Sequence, residues 1–140
     1  MIKKTGVVLI LVDNQDEALA FYTQKLGFSL IKDISDPSGE NRWVVVAPQW
    51  AITEGREENA TAFSLIKART EQDMQLVGNQ SGSFPFAVLI TDDCQKTYEE
   101  LHSRGVECIQ EPANKMWGID AYFKDLYGNV FELVQPPKHW

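Results

Sequence analysis

VVLILVDNQDEALAFYTQKLGF, Val7 to Phe28, begins as an unbroken apolar run and changes character at Asp13. The run predicts a strand from Thr5 to Val12. Both of its alternating sets, Val7, Leu9, Leu11 and Val8, Ile10, Val12, are apolar, as in a strand covered on both faces. Asp13 and Asn14 stop it and cap a helix, with Asn14 and Glu17, or Asp13 and Asp16, at capping-box spacing. Ala18, Leu19, Tyr22 and Leu26 then recur at three- and four-residue intervals, an apolar helical stripe. Gly27 ends the helix, because glycine takes positive φ without a Cβ clash. The unit reads strand, capped helix, glycine stop, second strand.

The same unit is written again in Phe84 to Ile109, FPFAVLITDDCQKTYEELHSRGVECI. With Asp13 set against Asp92, Leu19 falls on Tyr98 and Tyr22 on Leu101, and Gly27 meets Gly105 after a single-residue gap. The ends of the halves also match, with Phe63 in Ala62–Ile66 falling on Phe131 in Asn129–Val134. An internal repeat decides the architecture before any local reading does. Each half is about one βαβββ module, and a sheet with one helix has a second face to cover, for which the sister module is the natural partner. The fold class expected is α+β: tandem βαβββ modules forming a curled mixed sheet around a cleft. The first module runs over about 3–68, a linker over 69–82 and the second module over about 83–136.

Between these anchors, strands are predicted at Phe28–Asp33, Arg42–Ala47, Thr61–Ala68, Phe84–Thr91, Val106–Gln110, Asp120–Lys124 and Val130–Gln135. Asp36 to Asn41 and Asp125 to Asn129 have turn chemistry, with Gly128 or Asn129 suited to the left-handed region. Pro48 stops the third strand, and Glu54 to Asn59 reads as a polar loop. Arg69 to Val77 links the modules and admits a short helix. The second long helix is expected from about Asp93 to Ser103, capped through Asp92 and Gln95. Glu111 to Gly118 reads as too polar and irregular for a strand.

A chain of 140 residues is one domain's worth and buries roughly 68% of its unfolded surface. Cys94 and Cys108 lack both a disulfide framework and a metal-type spacing, so they read as reduced thiols, with Cys108 in the core. A net charge of −7 opposes nucleic-acid binding, which needs a basic footprint, and is compatible with a cationic small ligand. The longest apolar run is far short of the ~20 residues that cross a bilayer, and Lys3-Lys4 precedes too short a run for a signal peptide. The expected location is the cytoplasm.

Val12-Asp13, Ala18-Leu19-Ala20-Phe21-Tyr22, Leu26-Gly27-Phe28, Trp117-Gly118 and Asp125-x-x-Gly128-Asn129-x-Phe131-Glu132-Leu133-Val134, in this order, resemble the vicinal-oxygen-chelate superfamily of glyoxalase I, extradiol dioxygenases and bleomycin- and fosfomycin-resistance proteins. The resemblance covers nearly the whole chain. It implies sheets curled around a cleft and a homodimer, to which Pro136-Pro137, His139 and Trp140 could contribute. In metal-dependent members it also implies four metal-ligand positions. These fall here on Val7, Ser64, Phe86 and Glu132, of which only Glu132 is a strong donor. His102 reads as a solvated helix-end residue and His139 as part of the tail, so neither replaces the missing donors. Because a catalytic metal site needs about three protein ligands and an open position, no metal and no cofactor are expected.

Strand alternation places Val130, Glu132 and Val134 on the cleft side, with Val7, Leu9 and Leu11 from the first strand and Phe84, Phe86 and Val88 from the fifth. Trp43, Trp50 and Trp117 border the same space and could stack a flat ligand. Alternatively the aromatics plug the vacated site. Desolvation should raise the pKa of Glu132 and make it a general base or a counter-ion, or it is hydrogen-bonded to Gln49, Arg42 or a backbone amide. Lys115, beside Trp117, would meet an anion or simply solvent. The ligand-binding set is therefore Trp43, Trp50, Phe86, Trp117 and Glu132, with Glu132 the one catalytic candidate. The favoured function is metal-independent binding of a small, partly aromatic or cationic molecule. A divergent lyase, isomerase or dioxygenase using Glu132, and a structural protein with a filled cleft, are the alternatives.

Overall fold

The computed structural model describes residues 1–55 and 60–139. The chain divides into two compact units, Met1–Val77 and Gly78–Trp140. The first holds β1 (Val7–Val12), α1 (Gln15–Ala20, continuing as a π-helical turn over Phe21–Lys25), β2 (Phe28–Ser35), β3 (Arg42–Pro48), α2 (Gln49–Thr53), β4 (Ala62–Lys67) and α3 (Glu71–Leu76). The second holds β5 (Ala87–Ile90), α4 (Cys94–Ser103), β6 (Cys108–Lys115), β7 (Gly118–Lys124) and β8 (Val130–Gln135). The strand orders are β1-β4-β3-β2 and β5-β8-β7-β6, the same topology twice. In each sheet the first and last strands of the module pair in parallel and the remaining pairs are antiparallel. This is the tandem βαβββ, α+β arrangement that the repeat predicts.

Each helix covers one face of its own sheet. In the first unit Ile10, Val12, Ala18, Tyr22 and Leu65 are fully buried, and the Tyr22, Phe28 and Phe63 rings form a chain with centroids 5.7 and 6.2 Å apart. In the second, Phe123 stacks on Phe131 at 5.5 Å, with Cys94, Leu101, Ala121 and Leu133 buried around them. Such ring pairs add about 0.5–1.5 kcal/mol each beyond the area they bury. The caps follow from side-chain chemistry. Asn14 Oδ1 accepts from the Glu17 N–H at 2.9 Å, and Thr70 and Asp73 form a complete capping box on α3.

The structure corrects several local expectations. β6 runs on to Lys115 through the stretch read as irregular. It is an edge strand, where Pro112 and polar side chains are tolerated, and register shifts between Cys108, Gln110 and Ala113 absorb the proline. β5 begins only at Ala87, so Phe84 lies before the strand and is exposed. α4 is capped by Asp93, whose Oδ1 accepts from the Lys96 N–H at 3.0 Å, one residue later than expected. The π turn ending the first helix carries an i−5 bond from Leu26 N–H to Phe21 O, while the Thr23 hydroxyl bonds back to Leu19 O at 2.7 Å. Trp50 lies on the short helix α2, which the sequence reading did not contain. Cys94, not Cys108, is the core thiol, and burial pushes its pKa up to about 11. Most of the loop expected over 54–59, and Trp140, lie outside the described residues.

Candidate functional site

The site is built on β7 and β8. The hairpin between them turns at Asp125, whose Oδ1 accepts the Tyr127, Gly128 and Asn129 N–H groups at 2.9–3.0 Å. Gly128 takes φ 103° there. That turn sets Lys124 opposite Val130, hence Tyr122 opposite Glu132 and Asp120 opposite Val134. Phe131 and Leu133 point toward α4, where the Cys94 thiol meets Leu133 O at 4.0 Å. Their alternates Glu132, Tyr122 and Asp120 therefore share the opposite, helix-free face.

On that face two carboxyls meet. Asp120 is fully buried. Gln110 Nε2 donates to its Oδ1 at 2.8 Å, and Trp117 Nε1 donates to its Oδ2 at 3.1 Å. Glu132, half-buried, is hydrogen-bonded to Asp120. Its carboxyl is held above the usual value, first by desolvation, then by the hydrogen bond to Asp120 and by that residue's charge; Trp117 and Tyr122 pull partly the other way. The Tyr122 hydroxyl is also raised, by burial and by the two carboxyls. Each Asp120 carboxyl oxygen thus receives one N–H donor, and Glu132 is the half-exposed member of the pair. The arrangement offers a flat indole edge, a phenol and a carboxyl side by side.

Trp117 and Glu132, two of the residues the sequence singled out, are thus brought together. The Glu132 partners anticipated, Gln49 and Arg42, belong to the first unit, where Arg42 Nη1 and Nη2 are bound to Asp16 at 2.7 Å and Asp33 at 2.8 Å. Phe86 donates its N–H to Val130 O at 2.6 Å and sets its ring edge against Phe131, with centroids 5.9 Å apart. Trp50 is 62% exposed. Trp43 borders a groove of about 730 Å³ in the first unit, with Ile34 and Ile66 beside it. The cations of this groove are engaged: Arg42 as above, Lys67 with Asp13, and Arg69 with Asn41. Lys115 and His102 are exposed, the latter stacked on Tyr98.

Asp120, Gln110 and Tyr122 were not recognised from the sequence. The signal lay in the turn at Asp125 to Asn129, which fixes the hairpin register and so places Tyr122 and Asp120 beside Glu132. A single acid inside Gly118–Phe123 was the second clue.

The residues at the metal-ligand positions implied by the resemblance do not suit a metal. Val7 and Phe86 offer no donor atom, and Ser64 offers a weak neutral hydroxyl, fully buried and without a hydrogen-bond partner among the described residues. Among the described residues no group of three or more His, Cys, Asp or Glu is placed to hold a metal ion.

Comparisons with known proteins fit this fold. An uncharacterised protein of Shewanella frigidimarina (strain NCIMB 400) is 34% identical over 128 residues, covering 91% of this chain and 90% of its own. Among solved structures, UcmS2 superimposes with a TM-score of 0.79 at 33% identity, covering 96% of this chain and 99% of its own. TnmS3, an antibiotic binding protein from Streptomyces sp. CB03234, gives a TM-score of 0.74 at 29% identity, covering 97% and 98% of the two chains. No described helix is long and apolar enough to cross a membrane. The model of the Glyoxalase/Bleomycin resistance protein/Dioxygenase superfamily matches residues 4–133, and the chain belongs to that superfamily.

Proposed function

We propose that the protein binds a small, flat or partly apolar molecule on the face carrying Trp117, Tyr122 and Glu132, and that it does so without a metal. The observation that carries this reading is the carboxyl pair itself. A buried acid costs stability unless it is satisfied, and here it is joined to a half-exposed acid and an indole on a face left free by its own helix. Likeness to an antibiotic binding protein over nearly the full length of both chains supports the reading.

Tryptophan fluorescence and melting temperature, followed across a set of flat neutral and cationic compounds, test it. At least one compound should shift both signals. Trp117→Ala should weaken that compound's binding by about 1–3 kcal/mol, the range of a central aromatic anchor. If no compound shifts either signal, and Phe86→Ala alone creates binding, the aromatics are a plug and the reading fails.

A further inference from the structure

We infer that the groove of the first unit is a binding site for a flat organic cation, separate in its residues from the face described above. Its floor is one row of side chains across three strands. Ile34 of β2 lies opposite Trp43 of β3, and the register that sets Val45 opposite Ser64 carries Trp43 toward Ile66 of β4. The alternates Val44 and Val46 are fully buried, so Trp43 looks out from the other face of the sheet. Ile34 is 56% exposed and Trp43 39%, which is apolar surface that a ligand can cover. The volume, about 730 Å³, is that of a small-molecule site, for which roughly 300–1,000 Å³ is usual.

The charges of the rim select the sign of the ligand. Arg42, Lys67 and Arg69 line the groove, and each is already held. Arg42 is shared by Asp16 and Asp33, and Lys67 bonds to Asp13. Arg69 bonds through its guanidinium to the Asn41 side chain and through its backbone N–H to Asp73. The carboxylates of the β2–β3 turn are placed differently. Asp36 is held by neutral donors only, Ser38 Oγ at 2.6 Å and Asn41 Nδ2 at 2.5 Å, which push its pKa down to about 2 and leave its charge unneutralised. Glu40, exposed in the same turn, has a carboxylate with no ion-pair partner among the described residues. The surplus charge is therefore negative, and it lies in the turn that joins the strands of Ile34 and Trp43. A delocalised cation lying on the indole gains from the ring face as well as from these carboxylates. An anion gains from neither.

The probes are N-methylquinolinium, its neutral isostere quinoline and the anionic 2-naphthoate, each titrated into the whole chain at neutral pH. The signal is the Trp43 indole N–H resonance, assigned with Trp43→Phe. N-methylquinolinium should shift it saturably and bind at least about fivefold tighter than quinoline, with an advantage that shrinks as salt rises. 2-Naphthoate should bind weakest. Glu40→Lys, a change on an exposed turn, should remove most of that advantage and leave quinoline unaffected. Trp43→Ala should weaken N-methylquinolinium by at least a similar factor. Tighter binding of 2-naphthoate would overturn the inference. So would a Trp43 signal that moves with protein concentration alone, since a second copy would then fill the groove. Silence of Trp43 toward N-methylquinolinium also overturns it; if the Trp117 indole moves instead, the reading above stands.

Discussion

Glu132 is a carboxyl whose folded-state pKa is raised, and the sign of its effect on stability follows. Above the ordinary value of 4.5 the unfolded chain has lost this proton while the folded chain keeps it. The folded state then binds more protons, so stability falls as pH rises from 4.5 through the raised folded value. Glu132→Gln removes that titration. Its melting temperature should gain on the parent's as pH rises from 4.5 through the raised folded value; an unchanged gap would mean that Glu132 titrates normally. The same residue marks the limit of sequence reading. An acid inside an apolar strand was legible as a candidate, and its desolvation was legible too. Its partner was not, because Asp120 lies twelve positions away and becomes a neighbour only through the β7–β8 register.

At the scale of elements, the second unit depends on how β6 turns into β7. Trp117 occupies that turn, and Gly118 follows with φ 126°. A Cβ on Gly118 would lie 2.1 Å from Gln135 O at the end of β8, so β8 closes over a position that only glycine fills. Gly118→Ala should cost more than about 1 kcal/mol in denaturant unfolding and shift the Trp117 fluorescence, because the indole loses its approach to Asp120. An unaltered Trp117 signal would separate the turn from the site. The sequence of strands along the chain, both long helices and the two hairpin turns were legible, since repeat, caps and turn residues all pointed the same way. β6 was not, because an edge strand pairs through its backbone on one side and imposes little apolar alternation on its side chains. The π turn after Ala20 was equally hidden, as a helical stripe does not record a single widened turn.

For the molecule as a whole, the repeat made the architecture readable from residues that match only in type and spacing. The pairing of Val7–Val12 with Ala62–Lys67, and of Ala87–Ile90 with Val130–Gln135, repeats one topology in both units. β5 is an edge strand with Val88 and Ile90 exposed, a liability that association relieves. A homodimer is accordingly expected, and light scattering at the 15.9 kDa monomer mass at high concentration would count against it. The sequence does not name a ligand, because the groups gathered around Asp120 and Glu132 come from different strands and a turn rather than from one motif. The most direct test of the central claim is a heteronuclear NMR titration that follows the Trp117 indole N–H, assigned with Trp117→Phe, while a bound compound is added to the parent and to Glu132→Gln. The account predicts a saturating shift of that resonance in the parent and a weakened one in the variant. Saturable binding that leaves the Trp117 indole unmoved and survives Glu132→Gln would place the ligand elsewhere and contradict it.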